Sequence, residues 1–339
     1  MNSTFPKQCV GRAERLARLV LPAILCLLAF RPLCARAQSS PSPAREVNWQ
    51  AMGPAPCIWP TDESALHAGA KIQALRANGF GCYVALLWGE GRKNIEGRQT
   101  MDLSGFEKMM PAFNSADISV WVALIPPSEG GNSEPFGSDY VRWMRALAKL
   151  SLKYPHLRGV NIDDFQSGIS RKTFTPAYTC ALYRAKQQIN PKLQFAPTVY
   201  KLDRAFAGQF GGCIDGVWLW WTKLDTAAGL KSWLKQSRAA AGNRFPVYSG
   251  VYAHSTSWHQ KSDPAPAELG QALEKACQYA DGAVIWRLPL TGPPNPLLEE
   301  AQRFGAKGSS GLAGRCGAAK REPMRARHDP DPAAEAGVH

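Results

Sequence analysis

Two adjacent aspartates, Asp163 and Asp164, follow a short apolar run near the middle of the chain. Within that run, Asn161 and Asp163 fall on one face of a β-strand, and Val160 and Ile162 fall on the other. Two neighbouring carboxyl groups repel each other when both are charged, which keeps one proton available near neutral pH. The pair therefore predicts acid–base chemistry. The alternative is that one aspartate caps a turn and the other is solvated.

The sequence leaves open which aspartate would be the acid. Strand period points Asp163 inward, whereas a β-bulge would favour Asp164. Glu90 is the candidate for a second catalytic carboxylate, because it follows a predicted strand, lies near Trp88 and is flanked by glycines that let a ligand approach. An ordinary loop glutamate paired with Arg92 is the alternative interpretation. Two weaker substitutes follow the third and sixth predicted strands: Glu129 and Asp225.

Aromatic and polar residues end the other predicted strands. The C–H faces of a sugar stack on aromatic rings, while carboxylate, guanidinium and imidazole groups bind its hydroxyls. Hydrolysis of a glycosidic bond needs a protonated carboxyl group and a second group that attacks or activates water. We therefore predict Asp163, Asp164 and Glu90 as catalytic residues. The predicted substrate-binding residues are Trp88, Tyr200, Trp220, Trp221, Tyr252, His254 and Arg287.

Two alternatives concern these same residues. The indoles of residues 218–221 are also typical of barrel and helix packing, and strand alternation requires at least one of them to point away from the barrel axis. A metal-dependent hydrolase would use Asp163, Asp164 and His254 as ligands. We predict no metal and no cofactor, because His259 is the nearest further imidazole and a third ligand for a histidine pair is not identifiable.

Eight short apolar runs alternate with helical patterns between residues 47 and 304, which is the length of one eight-stranded α/β barrel. This alternation predicts a single (β/α)8 barrel of TIM type with its active site at the carboxyl ends of the strands. An open doubly wound sheet is the competing fold, but no glycine-rich phosphate loop follows the first strand. The predicted strands are residues 49–52, 81–87, 120–125, 159–163, 194–200, 216–221, 246–252 and 283–288.

Helix patterns separate these strands. Apolar residues from Tyr178 to Ile189 recur at helical spacing, with Thr175 as the predicted cap and Pro176 as the first helical residue. Ser104, followed three residues later by Glu107, forms a capping-box pattern ahead of another helix. Both patterns place helices where the barrel requires them.

The two ends of the chain differ in composition from the barrel. Residues 1–37 carry arginines before an apolar stretch and end in small residues, which predicts a secretory signal peptide followed by a linker at 38–46. That stretch is too short to span a bilayer. We predict a secreted or periplasmic protein with no integral membrane segment after signal removal. A retained N-terminal anchor is the alternative.

Residues 305–339 are rich in Gly, Ala, Arg and Pro and predict a disordered basic tail. The whole chain has a formal net charge of +13, and part of this basic excess lies in the tail. The basic residues of the tail are not interleaved with stacking aromatic residues, so nucleic-acid binding is not expected. A basic tail could instead hold an anionic polysaccharide or cell surface by charge. We expect the protein to be a monomer.

Six of the nine cysteines lie outside the predicted signal peptide. Six cysteines allow fifteen disulfide pairings, and the sequence cannot choose among them. Buried free thiols are an equally open interpretation, because several of these cysteines lie in apolar strand or helix patterns. Their wide spacing does not favour a zinc site.

The run from Gly159 to Phe165 resembles glycoside hydrolases with (β/α)8 barrels and, more distantly, the chitinase-like group of family 18. That group carries an Asp-x-Asp-x-Glu run at the end of its fourth strand. Aligned with it, Asn161 takes the place of the first acid, Asp163 of the second, and Phe165 of the catalytic glutamate. The resemblance therefore implies a carbohydrate-active barrel but not the chitinase mechanism.

The Asp163-Asp164 pair is also similar to the strand ends of barrel enzymes that act on partly deacetylated or cationic amino-sugar exopolysaccharides. Together these features predict an exported glycoside hydrolase that cleaves a polysaccharide or oligosaccharide. The alternative is a non-catalytic barrel that binds glycans through the same residues.

Overall fold

The computed structural model describes residues 55–60, 68–89, 100–221, 227–255 and 262–305. All strand pairs in this part of the chain are parallel and belong to one sheet. The strands are β1 (Cys57–Trp59), β2 (Cys82–Leu87), β3 (Ser119–Leu124), β4 (Leu157–Ile162), β5 (Gln194–Phe195), β6 (Thr198–Val199), β7 (Val217–Trp220), β8 (Val247–Tyr252) and β9 (Gly282–Trp286).

The sheet closes into a barrel through one interrupted strand. Its order is β5-β4-β3-β2-β1-β9-β8-β7-β6, and β5 and β6 are consecutive pieces of one extended segment. Between them, the N–H of Ala196 donates to Val160 on β4 at 3.0 Å, and the carbonyl of Pro197 accepts from Trp218 on β7 at 2.9 Å. Because proline has no N–H, it interrupts the ladder without ending the extended chain. The two pieces thus form the fifth of eight barrel strands, and the predicted (β/α)8 fold is confirmed.

Helices follow the strands and cover the outside of the sheet. Within the described residues they are α1 (Ala68–Ala77), α2 (Leu103–Ser115), α3 (Tyr140–Lys153), α4 (Ser170–Thr173), α5 (Pro176–Gln187), α6 (Arg204–Phe210), α7 (Ala227–Ala241), α8 (Pro266–Tyr279) and α9 (Pro296–Gln302). None of the helices in the described residues is long and apolar enough to cross a membrane.

The local sequence signals were right for α5 and wrong in detail for α2. Helix α5 begins at Pro176, and Thr175 accepts a hydrogen bond from the N–H of Tyr178, as predicted. Helix α2 begins at Leu103, and its cap is Asp102, whose carboxylate accepts the N–H of Gly105 at 2.7 Å. The predicted cap, Ser104, therefore lies inside the helix, because the acceptor two residues earlier already serves the first turn.

The first barrel strand also differs from the prediction. Cys57–Trp59 pairs with β2 on one side and with β9 on the other, so it occupies the position that we assigned to residues 49–52. Residues 49–52 lie outside the described residues, as do the predicted signal peptide, linker and tail. A run of three residues before Pro60 is too short to show the strand periodicity on which the prediction depended.

Large aromatic side chains fill the inside of the barrel, where branched aliphatic residues are more usual. Trp59 on β1 and Trp121 on β3 both contact the indole of Trp218 on β7, with ring centroids 6.1 and 5.5 Å apart. These strands are not neighbours in the sheet, so the contacts cross the barrel interior. The three indoles are buried inside the barrel.

Glycines on neighbouring strands make room for these indoles. Trp121 is in register with Gly159 on β4, where an added Cβ would lie 2.3 Å from the indole ring. Trp220 is in register with Gly250 on β8, where an added Cβ would lie 2.2 Å from the ring. Each indole thus lies flat against a strand that has no side chain at that position.

Disulfides tie two parts of the barrel together. Cys57 and Cys82 join the adjacent strands β1 and β2, and Cys180 on α5 is bonded to Cys213 in the loop before β7. Cys277 is disulfide-bonded as well. The structure therefore decides between the two interpretations left open by the sequence, in favour of disulfides at these positions.

Candidate active site

The aspartate pair lies immediately after β4, at the carboxyl end of that strand. Asp163 is half-buried, and Asp164 is buried, with 8% of its surface exposed. The N–H of Asp164 donates to Oδ1 of Asp163 at 3.0 Å. Asp164 has a φ of 44°, a left-handed conformation that aspartate tolerates better than most residues do. This turn ends the strand and lets the two carboxyl groups make different contacts.

Two tyrosines from other strands reach the pair. Tyr200 follows β6 and donates its phenolic hydrogen bond to Oδ1 of Asp164. Tyr252 ends β8 and lies close enough to Tyr200 for each phenol to affect the pKa of the other. Burial raises the pKa of both phenols, and the charges of Asp163 and Asp164 raise it further, so both tyrosines stay neutral hydrogen-bond donors at physiological pH. We call Asp163, Asp164, Tyr200 and Tyr252 the acid–tyrosine cluster.

The two carboxyl groups differ in their surroundings. Burial is the largest cause that raises the pKa of Asp163 well above its usual range, followed by the nearby charges of Asp164 and Glu129. Hydrogen bonds from the N–H of Asp164 and from the hydroxyl of Thr198 act in the opposite direction but do not cancel it. Asp163 is therefore suited to hold a proton, while Asp164 accepts a hydrogen bond from Tyr200.

Glu129 is the third carboxyl group at this rim. It ends a 3-10 turn, Pro127–Glu129, that follows β3. Taken over all its atoms, Glu129 is exposed to solvent. The protein atoms that crowd its carboxyl group raise its pKa, and the charge of Asp164 adds to this effect. The sequence ranked Glu129 below Glu90 as the second carboxylate. The structure brings Glu129 to the acid–tyrosine cluster, whereas Glu90 and Asp225 lie outside the described residues.

Of the predicted aromatic ligands, Trp220 is a buried part of the barrel interior. It is 3% exposed, its ring centroid lies 5.1 Å from that of Tyr252, and its Nε1 donates to the hydroxyl of Thr198 at 3.2 Å. Trp220 therefore supports the cluster from below and does not offer an open stacking surface. Trp221 packs against Trp233 of α7, with ring centroids 4.9 Å apart, on the helix side of the strand.

Trp286 adds an aromatic surface that is not among the predicted substrate-binding residues. It ends β9, is half-buried, and its ring packs edge-on against Tyr252 with centroids 5.4 Å apart. The next residue, Arg287, is 5% exposed, has a φ of 59° and places its guanidinium group 4.4 Å from the centre of the Trp286 ring. The charged residue after β9 drew attention to Arg287, but nothing in the strand pattern distinguished Trp286 from a packing residue.

The other two predicted ligands lie at the ends of β2 and β8. Trp88 is half-buried, and its Nε1 donates to Oδ1 of Asn132 at 2.7 Å. Nδ1 of His254 lies 3.9 Å from Oδ1 of Asp263, an exposed residue. Among the described residues, no group of three or more His, Cys, Asp or Glu side chains is arranged to hold a metal ion.

In the family 18 pattern, Phe165 takes the place of the catalytic glutamate. Its ring is buried and stacks on Phe174, with centroids 4.6 Å apart. Its N–H donates to the carbonyl of Thr198. The side chain at this position is therefore part of the packing between barrel and helices, and the departure from the chitinase pattern is structural as well as chemical.

In sequence, the chain matches no family model, and no curated protein is significantly similar to it. In structure, it is similar to solved barrels of glycoside hydrolases. A family 27 β-L-arabinopyranosidase from Geobacillus stearothermophilus, solved with arabinose, is 8% identical and aligns over 77% of this chain and 78% of its own, with a TM-score of 0.53. The endo-β-1,4-mannanase from Thermotoga petrophila is 10% identical, over 74% and 75% of the two chains, also with a TM-score of 0.53.

A putative α-L-fucosidase from Bacteroides thetaiotaomicron is 9% identical over 72% of this chain and 89% of its own, with a TM-score of 0.50. At these identities the likeness concerns the fold alone. It confirms the predicted resemblance to (β/α)8-barrel glycoside hydrolases at the level of architecture. The chemistry depends on the side chains of the acid–tyrosine cluster.

Proposed function

We propose that this protein is a glycoside hydrolase in which Asp163 is the general acid and Asp164 is the partner carboxyl group that Tyr200 holds in place. One observation carries the proposal: two adjacent carboxyl groups at the carboxyl end of a barrel strand lie in different environments. Asp163 has a raised pKa, and Asp164 accepts a hydrogen bond from Tyr200. Pairs of acids that differ in this way are typical of glycosidic bond cleavage.

In the proposed reaction, Asp163 gives its proton to the glycosidic oxygen as the bond from that oxygen to the anomeric carbon breaks. The positive charge that develops on the sugar ring is stabilised by the carboxylate of Asp164. Water then adds its hydroxyl to the anomeric carbon, and its remaining proton returns to a carboxylate of the site. Tyr200 holds the Asp164 carboxylate in place, because its hydroxyl donates to Oδ1.

Glu129 is the second candidate for the carboxylate that either attacks the anomeric carbon or activates water. It comes from a different strand end, so it could approach the sugar from another side than Asp163. The two assignments are separated by the stereochemistry of the product. NMR of the first anomer released distinguishes direct displacement by water from a covalent sugar–enzyme intermediate.

The charge at the rim favours neutral or cationic sugars as substrates. Asp163, Asp164 and Glu129 already repel one another, since the pKa values of Asp163 and Glu129 are raised partly by the charge of Asp164. A uronate would add a further negative charge to this group, whereas an amino sugar would relieve the repulsion. The half-buried indole of Trp286 offers an apolar surface for a sugar ring.

We further propose that the protein works outside the cytoplasm. The predicted signal peptide and the two disulfides, Cys57–Cys82 and Cys180–Cys213, support this proposal, because such bonds persist in oxidising compartments. The arabinopyranosidase and the mannanase support the glycosidase proposal only through the barrel architecture that they share with this chain.

The test is a screen of the protein lacking residues 1–37 against neutral, amino-sugar and uronate polysaccharides, with reducing ends and binding measured in parallel. We expect new reducing ends from a neutral or amino-sugar polymer, formed about a hundredfold or more slowly by the Asp163→Asn variant on the same polymer. Binding without reducing ends would instead support a non-catalytic glycan-binding barrel. Equal activity of the wild type and the variant would refute the assignment of Asp163.

A further inference from the structure

Basic residues are concentrated in one stretch of the barrel. Residues 140–193, which include α3, β4, α4 and α5, contain ten Lys and Arg residues, and their only acidic residues are Asp163 and Asp164. The preceding residues 55–139 contain six basic and ten acidic residues, and residues 194–305 contain eleven and nine. The positive excess of the barrel therefore comes from the stretch that carries α3 and α5.

Nine of these ten basic residues are exposed. Lys186 is the exception, because it is buried and its Nζ lies 2.6 Å from Oδ2 of Asp215. The two aspartates of the stretch follow β4, where Asp163 is half-buried and Asp164 is buried. They belong to the acid–tyrosine cluster, so the outer surface of this stretch carries basic residues without acidic ones.

Four basic residues of α3 lie on one side of that helix. They are spaced by three or four residues, all are exposed, and α3 contains no acidic residue. Residues at this spacing are neighbours on a helix surface. The four residues are Arg142, Arg145, Lys149 and Lys153. They form a row that is about 16 Å long, from the rise of 1.5 Å per residue in an α-helix.

Helix α5 lies beside α3 and extends this surface. The ring of Tyr140, at the start of α3, packs against Phe174, just before α5, with centroids 5.0 Å apart. Near the end of α3, the hydroxyl of Ser151 accepts a hydrogen bond from Nδ2 of Asn190, just after α5, at 2.7 Å. The two helices are thus joined at both ends and run in the same direction, and the exposed Arg184 of α5 lies on the same outer side of the barrel. The name basic face is used below for Arg142, Arg145, Lys149, Lys153 and Arg184.

Two carboxylates approach the ends of the basic face. Nζ of Lys153 lies 3.2 Å from Oε1 of Glu107 on α2. At the other end, Asp139 caps α3, and its carboxylate accepts the backbone N–H of Arg142 at 3.0 Å. Within the described parts of the chain, no ion pair includes Arg145, Lys149 or Arg184. Like charges at this spacing repel one another, so an anion bound along the row would relieve the repulsion.

We propose that the basic face is a docking surface for an anionic polysaccharide, separate from the acid–tyrosine cluster. A row of cations attracts a chain that repeats its negative charge, and this attraction speeds association. The carboxyl groups of the acid–tyrosine cluster repel the same chain. The polyanion is therefore held on the outside of the barrel and is not cleaved. This inference goes beyond the proposed function and does not depend on it.

The basic face favours a polysaccharide over a lipid surface or a single-stranded nucleic acid. A helix that lies on a membrane inserts its apolar face into the lipid. The apolar residues of α3 are instead buried in the protein, apart from the exposed Leu152 at its end. Single strands are bound by stacking their bases on aromatic rings, and every aromatic residue of α3 and α5 is buried or half-buried. An exported protein would also meet anionic polysaccharides outside the cell.

The test measures the Kd of the purified protein for polygalacturonate, a polysaccharide with a carboxylate on each sugar. The double variant Arg145→Glu, Lys149→Glu reverses two charges of the basic face. The matched control is Lys231→Glu, Lys235→Glu, which makes the same charge change at the same spacing on two exposed residues of α7. In low salt we expect Kd to rise about tenfold or more for the first variant and less than about twofold for the control. The difference should shrink as salt is added.

Equal weakening by the two double variants would overturn the inference, because binding would then follow the total charge and not this face. A protein that does not bind polygalacturonate in low salt would overturn it as well. Tighter binding to vesicles of anionic lipid or to duplex DNA would refute the polysaccharide as the partner. If the charge reversal prevents folding, the glutamine versions of both double variants give the same comparison with a smaller expected change.

Binding is measured without turnover, so the outcome is independent of the glycosidase proposal. Both double variants should cleave a small neutral glycoside at the wild-type rate, since neither changes the acid–tyrosine cluster. A protein that binds polygalacturonate through the basic face but cleaves no glycan would refute the proposed function and leave the docking surface intact.

Discussion

Tyr200 donates its phenolic hydrogen bond to the carboxylate of Asp164, a residue 36 positions earlier in the chain. The contact joins the turn after β4 to the end of β6, the second piece of the interrupted fifth barrel strand. It distinguishes the two aspartates, because Asp164 accepts this bond while the pKa of Asp163 is raised by burial and by the charge of Asp164.

The first prediction concerns the two acids. Asp163→Asn should reduce turnover about a hundredfold or more, as loss of a general acid does. The loss should be smaller on aryl glycosides with acidic leaving groups, which depart without protonation. Asp164→Asn should reduce turnover on both kinds of substrate. Steady-state kinetics on matched alkyl and aryl glycosides measure the difference. Glu107→Gln, an exposed carboxylate on α2, is the control. Equal losses of Asp163→Asn on both substrates would exclude it as the acid.

Tyr200→Phe should lower kcat by about tenfold and leave KM little changed. The phenol is expected to orient the Asp164 carboxylate, and a hydrogen bond to a charged group contributes about 1.5–3 kcal/mol. The control is Tyr279→Phe, because Tyr279 ends α8 and lies under the lysines of α7, away from the acids. A Tyr200→Phe enzyme with normal kcat would show that Asp164 is held by other contacts.

The raised pKa of Asp163 predicts how stability depends on pH. The folded protein keeps the Asp163 proton to higher pH than the unfolded chain, whose aspartates titrate at about 3.9. Its contribution to stability is therefore full below that value and is lost as the pH rises through the folded pKa. Asp163→Asn should remove this loss and raise the melting temperature at neutral pH, by about 2–4 °C for each kcal/mol regained.

The check is a series of melting curves from pH 4 to pH 8 for the wild type and for Asp163→Asn. The gap between the two proteins should widen as the pH rises. A constant gap would mean that Asp163 titrates alike in the folded and unfolded states. Glu107→Gln again serves as the surface control.

The packing of indoles on glycines predicts a large effect from a small substitution. Gly159→Ala should destabilise the barrel by about 1–3 kcal/mol or more, because its Cβ would lie 2.3 Å from the Trp121 ring. Gly208→Ala on α6 is the matched control, since no atom beyond its chain neighbours and the backbone of its own helix lies within 4 Å of the added Cβ. That variant should be neutral or more stable by up to about 1 kcal/mol. Urea unfolding measures both, and equal stability of the two variants would contradict this account of the core.

The Cys180–Cys213 bond should stabilise the fold without affecting the site. It closes a loop of 33 residues, for which the chain-entropy model gives about 3–4 kcal/mol. The double variant Cys180→Ser, Cys213→Ser should unfold at a lower urea concentration and keep its kcat at 25 °C. The Cys57–Cys82 pair, removed in the same way, provides a comparison inside the barrel. A double variant as stable as the wild type would show that the bond adds nothing.

Local patterns determined a large part of this molecule. The alternation of strands and helices gave the barrel, the pattern around Thr175 gave the start of α5, and the strand period pointed Asn161 inward, where its amide contacts Thr198. These predictions depend on residues within one or two helical turns of each other, or on the two-residue side-chain period of a strand. Both can be read directly from the sequence. The same reasoning failed at α2 and β1, where competing caps and a three-residue strand leave weak signals.

The tertiary structure alone decided what each chemical group does. The approach of Glu129 to the acids, the bond from Tyr200 to Asp164, the burial of Trp220 and the pairing of Cys180 with Cys213 all join residues that are distant in sequence. The protonation of a carboxyl group depends on burial and on neighbours within a few ångströms. Such neighbours come from several strands at once, and the amino-acid sequence by itself does not specify the distances between them.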